Sequence, residues 1–171
     1  EAFDHLKQHL DQLKVPLRLL VGNHDNRDIF RQRFGDHPCD ENGFIQSVED
    51  LPVGRFIYLD TNKPGHHEGW YCEQRMQWLE EQFAAAKGKD LYLFMHHPPF
   101  DIGIPALDRI SLVQKGAFSE VVKPYRDQIR HLFFGHIHRP LSGSWLGIPI
   151  SSLRAMNHQV QLDLTNAALK G

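Results

Sequence analysis

Three short apolar runs in this chain each end in a polar turn that carries histidine. The three segments are residues 15–21 before Gly22-Asn23-His24-Asp25, residues 91–95 before His96-His97-Pro98-Pro99, and residues 129–134 before Gly135-His136-Ile137-His138. Apolar runs of this length predict buried strands. Because ligands bind outside the carboxyl ends of strands in open α/β sheets, we expect the three turns to converge on one site.

Helical patterns and further strand-like runs separate these segments. Apolar spacing of three and four predicts helices over residues 3–13, 73–87 and 117–125, and a polar stretch over 26–33 predicts a short one. Residues 43–48 and 55–60 predict a hairpin, residues 101–115 a loop, and residues 141–164 antiparallel strands. This order of elements predicts a layered α/β architecture in a single domain.

Charge and hydropathy exclude several classes of partner. Lys and Arg number 19 against 21 Asp and Glu, and this net charge of −2 gives no basic surface for a nucleic-acid polymer or an anionic membrane. Apolar runs are too short for a membrane-spanning helix. The chain starts at Glu1 inside a helical pattern with no apolar leader, so we expect a cytoplasmic protein and a piece of a longer one.

Histidine is the unusual residue type, with 12 copies in 171 residues, and neutral imidazole is the commonest metal ligand. On extended backbone, His136 and His138 point to the same side. His96 supplies a third imidazole from another strand end, and Asn23 supplies an amide oxygen. This ligand set suits Zn, Mn, Fe or Co better than Ca or Mg.

Two neighbours of Asn23 are candidates for proton and phosphate chemistry. His24 can hydrogen-bond a substrate oxygen or protonate a leaving group, and Asp25 can fix the tautomer of His24. We interpret most of the remaining histidines as surface or loop residues, namely His5, His9, His37, His66, His67, His131 and His158.

The three turns, in this order, resemble the last three motifs of the calcineurin-like metallophosphoesterases. That family's pattern is D-x-H, G-D, G-N-H-D/E, a strand-ending His, and G-H-x-H. Within it, the chain is similar to the bacterial class III cyclic-nucleotide phosphodiesterases and glycerophosphodiesterases. The supporting stretches are Phe94 to Pro99, Gly69-Trp70, Gln77 to Glu80, and Asn157 to Val160. The resemblance implies a layered α/β/β/α sandwich.

The resemblance also implies roles for the candidate residues. Two divalent ions (Mn, Fe, Zn or Co) would share an aspartate and a bridging hydroxide that attacks a clamped phosphoryl group. Asn23, His96 and His136 would hold one metal, and His138 would contribute to the other. The expected catalytic residues are His24 and Asp25, and the expected substrate contacts are His24 and His97. The expected substrate is a small phosphodiester, either a cyclic nucleotide such as cAMP or a glycerophosphodiester.

The chain departs from the family's pattern at its beginning. No D-x-H occurs in the 171 residues, and Gly35-Asp36 lies after the G-N-H-D turn rather than before it. We therefore expect one domain over residues 1–171 that lacks the N-terminal strands carrying D-x-H and G-D. By itself this chain is expected to bind one metal weakly and to hydrolyse phosphodiesters inefficiently. The missing strands would leave exposed sheet edges that favour association. A homo-oligomer is therefore one expected state of the chain.

Two other interpretations use the same residues. On the same fold, the substrate could instead be a phosphomonoester or a phosphoprotein, and residues 62–72 and 100–115 are the expected pocket walls. The histidines could also hold a structural zinc in a non-catalytic protein. Structural zinc sites are usually closed tetrahedra rich in cysteine, whereas Cys39 and Cys72 lie outside all three turns.

Overall fold

A computed structural model describes residues 2–165 and shows a six-stranded mixed sheet. The strands are β1 (Ser47–Leu51), β2 (Gly54–Leu59), β3 (Leu91–Met95), β4 (Ile129–Phe134), β5 (Leu141–Trp145) and β6 (Ile148–Ser152). Their order in the sheet is β1-β2-β3-β4-β6-β5. Strands β2, β3, β4 and β6 are parallel, while β1 and β5 pair antiparallel to β2 and β6. The carboxyl ends of four strands therefore meet at one edge.

Five α-helices connect or precede these strands in the described residues. They are α1 (Ala2–Leu10), α2 (Arg27–Arg33), α3 (Glu73–Ala85), α4 (Pro105–Asp108) and α5 (Lys115–Val122). A 3₁₀ turn over Lys123–Tyr125 follows α5, because proline cannot continue the hydrogen bonding of an α-helix. Among residues 2–165, no helix combines the length and apolarity needed to cross a membrane.

One face of the sheet carries the main core. Alternate strand residues such as Leu93 and Leu132 point to this face, where they pack with Leu79 and Phe83 of α3 and Phe118 of α5. All five side chains are at most 1% exposed. The core fixes the positions of β3 and β4, and so of the turns that follow them.

The opposite face carries a row of aromatic side chains. Tyr58 stacks on Phe94 at a ring-centroid distance of 5.1 Å, and Phe94 stacks on Phe133 at 4.8 Å. Phe133 is 36% exposed. The described part of the chain therefore covers the two faces of the sheet unequally.

A second, smaller cluster joins α1 and α2 to the turn after residue 21. Val21, Phe30 and Ile45 are its buried members, and the ring of Phe3 meets that of Phe30 edge-on at 5.8 Å. The side chain of Asn26 caps α2 by accepting from the backbone N–H of Ile29. This cluster holds the first polar turn next to the sheet.

Most predicted elements are confirmed. Residues 91–95 and 129–134 are strands, the hairpin is formed by β1 and β2, and the helices over residues 3–13, 26–33, 73–87 and 117–125 appear with ends shifted by a few residues. The predicted loop over residues 101–115 contains α4. The antiparallel strands predicted within residues 141–164 are β5 and β6, and no described residue after 152 is in a strand.

The strand predicted over residues 15–21 is wrong for the described chain. The backbone N–H of Leu19 donates to His37 Nε2 at 2.9 Å, and Arg18 pairs with Glu49 at 3.1 Å. None of residues 15–21 has a ladder partner within residues 2–165. An apolar run becomes a strand only when a neighbouring strand offers its N–H and C=O groups.

Candidate metal centre

The carboxyl ends of β3 and β4 bring two of the predicted ligands together. Met95 and Phe134 are register partners, and the backbone N–H of Gly135 donates to the His96 carbonyl at 3.0 Å. The imidazoles of His96 and His136 consequently lie with ring centroids 5.2 Å apart. Parallel pairing of two adjacent strands thus produces the predicted juxtaposition.

The first polar turn adds Asn23 to this pair. Asn23 Oδ1 lies 2.9 Å from His96 Nε2, while Asn23 Nδ2 lies 3.3 Å from His67 Nδ1. The contact with His67 therefore orients the amide so that its oxygen faces His96. Gly22 permits this approach, because a Cβ at that position would lie 2.8 Å from the His96 ring.

His136 presents a buried nitrogen that has no partner among the described residues. Its Nε2 is buried and makes no hydrogen bond within residues 2–165, which allows the neutral tautomer that carries its proton on Nδ1. The lone pair of Nε2 is then free for a ligand. The backbone of His136 has a φ of +66°, a left-handed conformation that is uncommon for residues other than glycine and often marks functional sites.

His138 follows the same pattern. Its buried Nδ1 has no hydrogen-bond partner in the part of the chain that the structure describes, and its ring lies 4.4 Å from that of His158 between centroids. The expectation of extended backbone between His136 and His138 is wrong, since φ is +66° and +51° at these residues. Both rings nevertheless line one cavity.

The structure places His97 differently from the expected substrate contact. Its side chain is fully buried. Its Nδ1 lies 2.8 Å from Thr61 Oγ1, and its Nε2 lies 3.2 Å from the His67 carbonyl. Nitrogens of His96, His97 and His136 lie within 4.8 Å of one another, but both nitrogens of His97 are engaged. His97 therefore supports the loop carrying His67 and has no free nitrogen for substrate.

His24 and Asp25, the predicted catalytic pair, also differ from expectation. His24 is exposed, and its ring lies 5.5 Å from that of His67. The Asp25 carboxylate accepts from the backbone N–H of Gly22 at 2.7 Å. Asp25 therefore stabilises the turn itself, and its described hydrogen bond does not fix the tautomer of His24.

A cavity of 220 Å³ adjoins these side chains. It is lined by Asn23, His24, His67, Leu107, Ile110, His136, His138, His158 and Val160. His67 and His158, which we expected to be surface or loop residues, are exposed and lie outside the helices and strands, and both also line this cavity. The sequence carried a signal for both: His67 lies in the predicted pocket wall over residues 62–72, and His158 lies in the stretch Asn157 to Val160 that supports the family resemblance.

Burial keeps the clustered imidazoles uncharged. It lowers the pKa of His97 to about 3 and that of His136 to about 4, with neighbouring imidazoles adding to the effect. Burial also lowers the pKa of His96 well below its usual range and, to a smaller extent, that of His138. Neutral imidazoles are the form that binds metal. Burial raises the pKa of the Asp25 carboxyl, with its bond to Gly22 opposing the change.

These residues fit a divalent transition-metal ion. Metal ligands 2.0–2.2 Å from an ion lie about 3 Å from one another, and the 2.9 Å between Asn23 Oδ1 and His96 Nε2 matches this spacing. The Nε2 of His136 is buried without a hydrogen-bond partner, and coordination of a metal ion would satisfy this atom. Nitrogen donors with one amide oxygen favour Zn, Mn, Fe or Co.

Comparison with known proteins gives consistent matches. The family model described as calcineurin-like phosphoesterase matches residues 1–140. A probable cyclic nucleotide phosphodiesterase of Rhodopseudomonas palustris is 42% identical over 166 residues, which cover 95% of this chain and 60% of that relative. A probable glycerophosphodiester phosphodiesterase of Arcobacter nitrofigilis is 33% identical over 171 residues, which cover 98% of this chain and 62% of the relative.

A solved structure shares the fold. A dimetal phosphatase from Danio rerio superposes with a TM-score of 0.73 at 16% sequence identity, and the match covers 90% of this chain and 65% of that chain. The mixed α/β architecture predicted from the sequence is therefore confirmed. The chain spans about three fifths of the length of the two bacterial relatives.

Proposed function

The chain belongs to the calcineurin-like phosphoesterase family, and from that premise we propose that this protein is a metal-dependent phosphodiesterase. The observation that carries the proposal is the meeting of Asn23, His96 and the unpartnered Nε2 of His136 at one sheet edge. The substrate class follows the two bacterial relatives, whose names specify cyclic nucleotide and glycerophosphodiester substrates. The proposed substrate is a small phosphodiester.

The proposed centre is dinuclear. Asn23, His96 and His136 would hold one divalent ion, and the buried Nδ1 of His138 would contribute to a second. A D-x-H motif is absent from the sequence, and Gly35-Asp36 lies after the G-N-H-D turn rather than before it. We therefore propose that the carboxylates of both motifs lie in a preceding segment of the same domain. A cytoplasmic location and the oligomeric state stay predictions.

The chain's own residues would bind and orient the phosphodiester. When bound, the ions would polarise the phosphoryl group and acidify a water molecule. His24 is exposed at the cavity rim, where its imidazole can donate to a phosphate oxygen or to the leaving oxygen. His67 faces His24 across 5.5 Å, and the buried His97 holds the carbonyl of His67 in place. Such fixed donors stabilise charge that develops during phosphoryl transfer.

A substrate panel tests the proposal directly. The polypeptide including its preceding segment would be assayed with Mn²⁺ on cyclic AMP, glycerophosphocholine and p-nitrophenyl phosphate. We expect metal-dependent turnover of a diester, its loss in His136→Ala, and retention in the control His131→Ala, whose ring lies on the aromatic face against Phe133. Faster turnover of the monoester, or diester turnover unchanged by a chelator, would contradict the proposal.

A further inference from the structure

A buried asparagine after β2 closes the turn that carries Asn23. Asn62 is 1% exposed, and its Nδ2 donates to the Gly22 carbonyl and, at 3.1 Å, to the Asp25 carbonyl. These acceptors belong to the first and last residues of the turn. One side-chain amide therefore ties both ends of the turn to the segment that follows β2.

Asn62 is itself anchored by groups from three other parts of the fold. Its backbone N–H donates to the fully buried Asp60 carboxylate at 2.9 Å. Its carbonyl accepts from Arg27 Nη2 of α2 at 3.0 Å and from Arg75 Nη1 of α3 at 3.3 Å. Charge-assisted hydrogen bonds of this kind are the stronger ones in proteins. Asn62 is consequently a fixed point against which the turn is held.

The bonds inside the turn have a different effect. Gly22 N–H donates to the Asp25 carboxylate at 2.7 Å, and Asp25 N–H donates to the Gly22 carbonyl at 3.2 Å. These bonds fix the shape of the turn but not its position over β3. The bonds from Asn62 supply that position, which brings Asn23 Oδ1 to 2.9 Å from His96 Nε2.

We propose that Asn62 is a positioning residue that holds Asn23 over His96 for metal binding. The inference rests on the proposed function, because it concerns the ligand set of that site. Groups that orient metal ligands without touching the metal typically contribute 10–100-fold in affinity. We therefore expect loss of the Asn62 amide to weaken metal binding about tenfold or more.

The test compares Asn62→Ala with Gln46→Ala in this chain. Gln46 is a matched control because it is also 1% exposed, and its amide donates to Asp40 at 2.7 Å and accepts from Tyr71 at 3.2 Å. Co²⁺ titration would measure affinity, thermal unfolding would measure stability, and hydrogen exchange of the metal-free proteins would report on residues 22–25. We expect both variants to lose stability, but only Asn62→Ala to bind Co²⁺ about tenfold more weakly and to exchange faster at the turn.

A second variant, Asn62→Asp, keeps the side-chain size and removes the donor, so the same loss of Co²⁺ affinity is expected. Unchanged affinity in Asn62→Ala would overturn the assignment. So would failure of that variant to fold where Gln46→Ala folds, because Asn62 would then act in folding. If the unaltered chain bound no Co²⁺, the metal site proposed for Asn23, His96 and His136 would fail, and unchanged exchange at residues 22–25 would separately overturn the positioning role.

Discussion

At the scale of single residues, the closest contact in the site lies between a glycine and an imidazole ring. We expect Gly22→Ala to displace His96, because the added Cβ would lie 2.8 Å from the ring, a separation that side chains do not tolerate. Co²⁺ titration should show affinity reduced about tenfold or more, the effect typical of a misplaced ligand.

The matched control is Gly116→Ala in α5. No described heavy atom outside its own helix backbone and chain neighbours lies within 4 Å of a Cβ placed there. Alanine is favoured over glycine inside a helix by about 0.5–1 kcal/mol, so this variant should melt slightly higher and bind Co²⁺ unchanged. Equal affinities for Gly22→Ala and Gly116→Ala would show that the close approach at Gly22 is not needed for binding.

The buried imidazoles also predict a dependence of stability on pH in the metal-free chain. The folded pKa is about 3 for His97 and about 4 for His136, and about 6.5 for histidine in an unfolded chain. Below pH 6.5 the unfolded chain therefore takes up protons that the folded chain does not. The free energy of unfolding should be highest above pH 6.5 and fall toward pH 5, by at most about 1.4 kcal/mol per pH unit for each group.

Urea unfolding at pH 7 and pH 5 measures this dependence. The variant His97→Gln removes one of the two groups, so its stability should change less between the two pH values than that of the unaltered chain. A free energy of unfolding that stayed constant or rose toward pH 5 in the unaltered chain would contradict the prediction.

At the scale of elements, one buried carboxylate joins α2 to the end of β2. Asp60 is fully buried and accepts from Arg27 Nε at 2.7 Å and from the backbone N–H of Ile45 at 2.9 Å. Asp60→Asn would leave the Arg27 guanidinium without its counter-charge, and breaking a buried pair in this way costs about 3–5 kcal/mol. Urea unfolding should show a loss of this order.

Asp50→Asn is the control for that loss. Asp50 pairs with Arg55 at 2.9 Å within the β1–β2 hairpin, but its side chain is 42% exposed. Arg55 is itself buried, but water reaches the Asp50 carboxylate and can also solvate the group that replaces it. Partly exposed pairs contribute less than enclosed ones, so the cost should be smaller than for Asp60→Asn. Similar costs for the two variants would argue against a structural role for the buried pair.

The elements also show what the sequence could and could not predict. Strands β3 and β4 were predictable because their apolar residues are local, and their histidine-bearing ends followed from the shared sheet edge. Residues 15–21 have the same apolar character but lack a pairing partner among residues 2–165. The amino acids of a strand-like segment do not reveal whether a neighbouring strand is available to pair with it. Residues 62–72 were a predicted pocket wall, but the individual contacts of Asn62 and His67 with the turn were not predictable. Each contacts the turn from a point about 40 residues away along the chain, and local patterns carry no such information.

At the scale of the whole molecule, the parallel pairing of β3 and β4 brings residues that are far apart in the sequence into one site. Strands β3 and β4 contribute their carboxyl ends, and the cluster formed by α1 and α2 holds the turn that follows Val21 against them. A cavity of 480 Å³ lies next to His96, His136 and His138 on the aromatic side of the sheet. The metal-ligating side chains of this chain thus lie between two cavities. The number of metal ions that they can hold depends on which further ligands complete the coordination.

The available ligands predict how many metal ions each polypeptide binds. Asn23, His96 and His136 supply three donors for one ion, whereas His138 is the remaining proposed ligand for a second ion in the described residues. We expect calorimetric titration with Co²⁺ to give one ion per 171-residue chain and two ions per polypeptide that also carries D-x-H and G-D motifs. His138→Ala should leave the single ion of the shorter chain bound, while His136→Ala should release it. Two ions bound by the 171-residue chain would mean that its own residues complete both positions, and the proposed carboxylates from a preceding segment would then be unnecessary.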